Sequence, residues 1–192
     1  MGASGTCGAG DCSHSEMVNE VVLPTHETSL IGIPVVLLGS VRRSECKFCG
    51  EPFFNILFPD RLTAAAAVCR AKSPTKLLGR EIKFLRKALN VSAKELADFL
   101  DVKTETLSRW ENDKQVMGPN HERLLRVQVG LELGARAPAI HFDAKEVLNM
   151  NIKAVRDPDY EEMPMVFELV KLMKVGEKRL DDEYSGKSRE VA

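Results

Sequence analysis

Apolar residues follow two different rhythms along the 192-residue chain. Between Met17 and Val41 they come in short runs, Val21-Val22-Leu23 and Ile33-Pro34-Val35-Val36-Leu37-Leu38, broken by Pro24, Gly32 and Gly39. Such β-rich runs bounded by glycine and proline predict short strands, so this part reads as a small β section. After Cys49-Gly50 helix formers take over. A helix is predicted over Leu62 to Ala71, and a break at Ser73-Pro74 separates it from a longer helical series.

In that series Leu78, Ile82, Leu85 and Leu89 fall at i, i+4, i+7 and i+11, one face of a helix whose other side is basic. Ser92, with Glu95 three residues on, makes a capping box for a short second helix ending near Asp101, its buried stripe being Leu96 and Leu100. A third runs from Lys103 or Thr104 to about Asp113 and carries Leu107 and Trp110 at i, i+3, before Asn112, Gly118 and Pro119 interrupt the pattern. A fourth carries Leu124, Leu125 and Leu131. Val166, Leu169, Val170 and Met173 at i, i+3, i+4 and i+7 predict one more helix, with an apolar face able to pack within the chain or on a second copy. Beyond Lys178 the charged, Gly- and Ser-containing tail reads as disordered.

The expected fold is therefore α+β. Residues 1–72 form a small β zinc-binding module with a linker helix, 73–134 a mainly helical reading head, and 135–192 a helical extension with a disordered tail. At 44% apolar residues the chain can bury a core of this kind.

The net charge of −1 hides a local imbalance. Residues 70–90 carry Arg70, Lys72, Lys76, Arg80, Lys83, Arg86 and Lys87 against Glu81, whereas residues 157–192 are net acidic. A polyanion would be attracted to the first stretch and repelled by the second, so the basic middle is the expected contact surface. No stretch approaches the roughly 18 apolar residues of a membrane span, and no secretory pattern opens the chain. A cytoplasmic protein without membrane contact is expected, and in that reducing compartment five cysteines are read as ligands or thiols rather than disulfides.

Cys7-x4-Cys12 and Cys46-x2-Cys49 are two close pairs. Four thiolates complete a tetrahedral Zn²⁺ and leave no position open for water, so one structural zinc per chain is expected. Gly50 can take the positive φ that turns backbone N–H groups toward sulfur. His14 is the alternative to Cys12. Cys69, in an Ala-rich helix, reads as a small buried hydrophobe, and His26, His121 and His141 as ordinary packing or surface histidines. No nucleophile, base and orienting group can be picked out together, so no catalysis is expected.

Ser92 to Asp113 has the proportions of two helices joined by a tight turn, in which the second lies in the major groove and the first braces it. Ala97 falls where such helices cross closely. The stretch resembles the repressor-type helix-turn-helix of the lambda, 434 and XRE group, through Ser-Ala-Lys-Glu-Leu-Ala at 92–97 and Leu-Ser-Arg-Trp-Glu at 107–111. The resemblance implies a structural ion pair between Arg86 and Glu111 and base-reading positions at Thr104, Glu105 and Arg109, with Lys103 and Ser108 nearby. The chemistry agrees: Arg109 can donate twice to guanine, Glu105 can accept from cytosine, and Thr104 can touch a thymine methyl. Lys94, Lys103 and the helix start after Gly118-Pro119-Asn120 suit phosphates. Trp110 continues the buried stripe.

A two-pair cysteine module followed directly by this reading head resembles the antitoxins and regulators of the MqsA (YgiT) type. The resemblance rests on Gly32-Ile33-Pro34-Val35-Val36, Cys46-Lys47-Phe48-Cys49-Gly50-Glu51 and Ser108-Arg109-Trp110-Glu111. It implies a homodimer held through the DNA-binding half, a palindromic operator in double-stranded DNA, repression of the protein's own operon, and a toxin protein docking on the zinc half. The wider first cysteine pair and the C-terminal extension depart from that pattern.

Overall fold

The computed structural model describes residues 16–153 and 165–168. Two fourteen-residue strands, β1 (Met17–Leu30) and β2 (Ile33–Cys46), form an antiparallel hairpin. The expected short strands are thus one continuous ladder, and the reason lies at Pro24. The register passes from Leu23 opposite Val41 to Thr25 opposite Leu38, setting Pro24 alone against Gly39 and Ser40. Proline has no N–H to give the ladder, and Gly39 at φ +63° absorbs the extra residue as a bulge, so the breaker is bypassed rather than obeyed. The hairpin closes through Ile31 and Gly32, both at positive φ, the two-residue turn whose twist matches the strands.

The other edge of β2 carries two short strands. β3 (Pro52–Ile56), not anticipated from the sequence, runs antiparallel along Val41–Glu45, and β4 (Met165–Glu168) runs parallel along Val35–Leu38. This corrects the helix expected from Val166 to Met173 in its described part. Phe167 is buried while Val166 is exposed, a period of two imposed by the edge it joins. Leu169, Val170 and Met173 lie outside the described residues.

The helices are α1 (Pro59–Lys72), α2 (Gly79–Ala88), α3 (Ala93–Phe99), α4 (Thr104–Glu111), α5 (Pro119–Leu133) and α6 (Ala144–Leu148), with a 3₁₀ turn at Gly134–Arg136. α1 opens on Pro59, whose missing N–H needs no partner at a helix start. It is buried on most sides through Leu62, Ala64 to Val68 and Ala71, and its small side chains let α2 and α5 come close. The inward row of β2, Ile33, Val35, Leu37 and Val41, shares one core with Leu62, Phe84, Leu85 and Leu125. None of the described helices is long and apolar enough to cross a membrane.

The inward face of α5 is part apolar and part charged. Leu125, Val129 and Leu133 are buried, whereas Leu124 and Leu131 are 41% and 65% exposed. The buried stripe also holds Glu122 and Arg126, and these charges explain the choice. Arg126 is fully buried and donates to the carbonyls of Arg70 (3.2 Å), Ala71 (3.0 Å), Ser73 (2.5 Å) and Thr75 (2.6 Å), and to Glu122 Oε1 (2.7 Å). It thereby satisfies carbonyls at the end of α1 that a helix leaves without partners. Glu122 accepts from the Leu77 N–H (2.9 Å) and Lys76 Nζ (2.9 Å), while Glu81 pairs with Arg70 and takes the Leu78 N–H (2.6 Å). Burial pulls the Arg126 pKa down, and the Glu122 carboxylate opposes that pull. Each of these buried charges has the partners that its desolvation demands.

The segment after α5 returns across the helices. The Phe142 ring sits directly on Gly130, where any Cβ would overlap it. Farther on, Lys153 N–H donates to Pro74 O (2.8 Å) and Lys76 N–H to Lys153 O (2.9 Å), forming a parallel bridge beside Thr75.

Candidate nucleic-acid interface

The reading head is built from local signals. Glu95 N–H donates to Ser92 Oγ (3.1 Å) and Ser92 N–H to Glu95 Oε2 (2.7 Å), closing the capping box that starts α3. These bonds hold the Glu95 carboxyl below its ordinary value. Asp101 at φ +53° turns the chain, Val102 N–H reaches back to Ala97 O (3.0 Å), and α4 begins at Thr104 with Lys103 as its N-cap. Ala97 is wholly buried, as are Leu96 and Leu107, and Trp110 is 4% exposed.

With Leu107 and Trp110 turned inward, Thr104, Glu105, Ser108 and Arg109 stand exposed on the other side of α4. They fall at i, i+1, i+4 and i+5, so the helix brings all four onto one outward face. Lys103 is exposed at the start of that helix and Lys94 on α3. At the start of α5, Gly118 caps without a side-chain bond, Asn120 is exposed, and the half-buried His121 packs on Trp110 with ring centres 5.2 Å apart.

Two ties fix α4 against α2. Arg86 grips Glu111 with two bonds, Nε to Oε1 at 2.6 Å and Nη2 to Oε2 at 3.0 Å, and its Nη1 donates to Val91 O (3.2 Å). The hydrogen bonds to Glu111 raise the Arg86 pKa further. At the opposite end of α2, Gly79 N–H donates to Asp113 Oδ1 (2.6 Å). A Cβ on Gly79 would lie 2.6 Å from Trp110 O and 2.8 Å from Glu111 O, so α4 rests on bare backbone there. Gly79 and Asp113 were not singled out from the sequence. Asp113 read only as the end of a helix, and its φ of +54° leaves no mark in the chain.

The basic surface is narrower than the charge count implied. Of the seven cations in residues 70–90, Arg70, Lys76 and Arg86 are tied to carboxylates, and Lys72 donates to His141 O. Arg80, Lys83 and Lys87 are exposed. The stretch taken as one contact surface is therefore partly core.

Cys46 is buried at the end of β2 and Cys49 is exposed in the turn that follows. Gly50 N–H donates to Cys46 O (2.9 Å), Cys46 N–H to Glu51 O (2.9 Å), and Gly50 has φ +73°, which gives the tight turn a paired-thiolate site needs. Cys7, Cys12 and His14 lie outside the described residues, and among the described residues no three potential metal ligands gather. Cys69 is half-buried, and its burial pushes the thiol pKa up, with Lys72 opposing that shift.

Residues 82–127 match the helix-turn-helix family. The matched span begins in α2, contains all of α3 and α4 and ends in α5, and this part of the chain is a helix-turn-helix of the XRE type. No curated protein and no solved structure matches the chain.

Proposed function

We propose that the protein is a sequence-specific DNA-binding transcriptional regulator that reads the major groove of double-stranded DNA with α4. The observation that carries this reading is the exposed row Thr104, Glu105, Ser108 and Arg109, set above a buried Leu107 and Trp110 within a helix-turn-helix. In this reading Arg109 specifies guanine, Thr104 and Glu105 meet neighbouring bases, and Ser108 contacts a base or phosphate. Lys94, Lys103 and the α5 start bind phosphates and position the head without reading sequence. One recognition helix covers only a short half-site, so the working unit is a homodimer on a palindromic operator, acting as a repressor.

Selection from random DNA fragments tests the reading. Arg109→Ala is expected to weaken the selected site by about 1–3 kcal/mol and relax preference at one base pair, whereas Lys103→Ala weakens all sequences alike and lowers the salt slope by about one. Equal losses on selected and random DNA in the Arg109 variant would remove its reading role. In the N-terminal module we propose that Cys46 and Cys49 join Cys7 and Cys12 around one structural Zn²⁺, which the tight turn at Gly50 supports. Metal analysis of the full chain is expected to find close to one zinc per chain, lost on Cys46→Ser.

A further inference from the structure

Beside the hairpin turn a cavity of about 380 Å³ opens between the start of α1, the end of α2 and the 3₁₀ turn that follows α5. Its volume is within the range of small-molecule pockets. The buried Ala64, Ala88 and Leu133 supply apolar lining, and the rest is mostly polar. Asp60 and Thr63 come from α1, Lys87 from α2, Asn90 from the turn after it, and Arg136 from the 3₁₀ turn.

These five side chains differ from the other charges of the helical layer. Arg70, Lys76, Arg86 and Arg126 each hold a carboxylate. Among the described residues, neither Lys87 nor Arg136 pairs with Asp60 or with any other carboxylate, and the side chains of Asp60, Thr63 and Asn90 have no hydrogen-bond partner. Two cations, one anion and two neutral polar groups from separate elements thus line one space with their bonding capacity unused.

The pattern selects a class of occupant. A plain dianion answers both cations but is repelled by Asp60, whereas a zwitterion with one carboxylate leaves one cation unanswered. A molecule with two carboxylates and one ammonium answers all three charges, through charge-assisted bonds that are roughly twice as strong as neutral ones. Thr63 and Asn90 can donate to the remaining lone pairs of its carboxylates. We propose that this cavity binds a small acidic amino acid, with its carboxylates on Lys87 and Arg136 and its ammonium on Asp60. No residue of α4 lines the cavity, so the site stands whether or not α4 reads DNA.

L-Glutamate is the probe, titrated at fixed ionic strength into the ¹⁵N-labelled full chain. It is expected to shift the backbone amides of Asn90 and Arg136 in a saturable way, with a Kd below about 1 mM. Glutarate lacks the ammonium and L-glutamine lacks one carboxylate, and each is expected to bind roughly tenfold more weakly because it leaves a charged group unanswered. Asp60→Asn is expected to erase the preference for L-glutamate over glutarate, and Lys87→Gln or Arg136→Gln to reduce the preference over L-glutamine. All three positions are exposed, so the fold is expected to tolerate the changes. Lys83→Gln removes the same charge from an exposed position of α2 that does not line the cavity, and is expected to leave binding unchanged. The absence of a saturable shift up to about 10 mM would overturn the site. Equal affinity for glutarate or L-glutamine, or a loss in Lys83→Gln as large as that in Lys87→Gln, would overturn it as well.

Discussion

Removing the Glu111 carboxylate tests the central claim about how α4 is held. The Arg86–Glu111 pair makes two charge-assisted bonds, at 2.6 Å and 3.0 Å, between side chains that are 13% and 9% exposed. In Glu111→Ala the guanidinium keeps only Val91 O at 3.2 Å. Stranding one member of a buried pair costs about 3–5 kcal/mol, and the residual solvent contact of Arg86 places the expected loss near 3 kcal/mol. Against a total stability of about 5–15 kcal/mol, that is a large fraction. Replacing both members, Arg86→Met with Glu111→Leu, strands no charge and is expected to stay within about 1 kcal/mol of the starting protein. Urea unfolding followed by Trp110 fluorescence measures all three chains. A Glu111→Ala cost below about 1 kcal/mol, or a double variant as unstable as Glu111→Ala, would refute the reasoning.

The capping box has a pH signature. The bonds from Ser92 lower the Glu95 pKa from 4.5, so its contribution is full above that value and is lost as pH falls through the lowered one. Urea midpoints across the acid range are expected to fall more steeply for the natural chain than for Glu95→Gln, and parallel curves would count against the box. Gly130→Ala is expected to drive the Phe142 ring from its seat, at a cost of about 1–3 kcal/mol. Hydrogen exchange should then rise through residues 139–153, and unchanged protection there would show that the ring is not what anchors the segment.

How much of this could be read from the chain depended on how local each signal was. The reading head was legible because its cues lie within a few residues of one another: the Ser92–Glu95 box, the Leu107–Trp110 spacing and the short turn between them. The sheet was not, because strand length is decided by the neighbour. Pro24 looks like an end until Gly39 and Ser40 are set opposite it, and β3 exists because β2 offers an edge. The charge count failed for a related reason. Arg70 meets Glu81 eleven positions away and Lys76 meets Glu122 forty-six away, so summing charges over a window mistook core pairs for surface. The inward stripe of α5 runs through Glu122 and Arg126 as well as Leu125, Val129 and Leu133, and these two charged residues, of types normally assigned to water, carry no local signal of burial.

Ser73-Pro74 would be the natural hinge between the β section and the reading head, yet its backbone groups are taken from both sides. Ser73 N–H bonds to Cys69 O, Ser73 O and Thr75 O receive Arg126, and Pro74 O and Lys76 N–H are held by Lys153. Hinges work where a few residues can change φ and ψ without losing bonds, and here such a change would break one or more of these hydrogen bonds. Lys153, after α6, thus closes the linker from one side while Arg126 of α5 closes it from the other. A rotation at Ser73-Pro74 therefore has to break these bonds first.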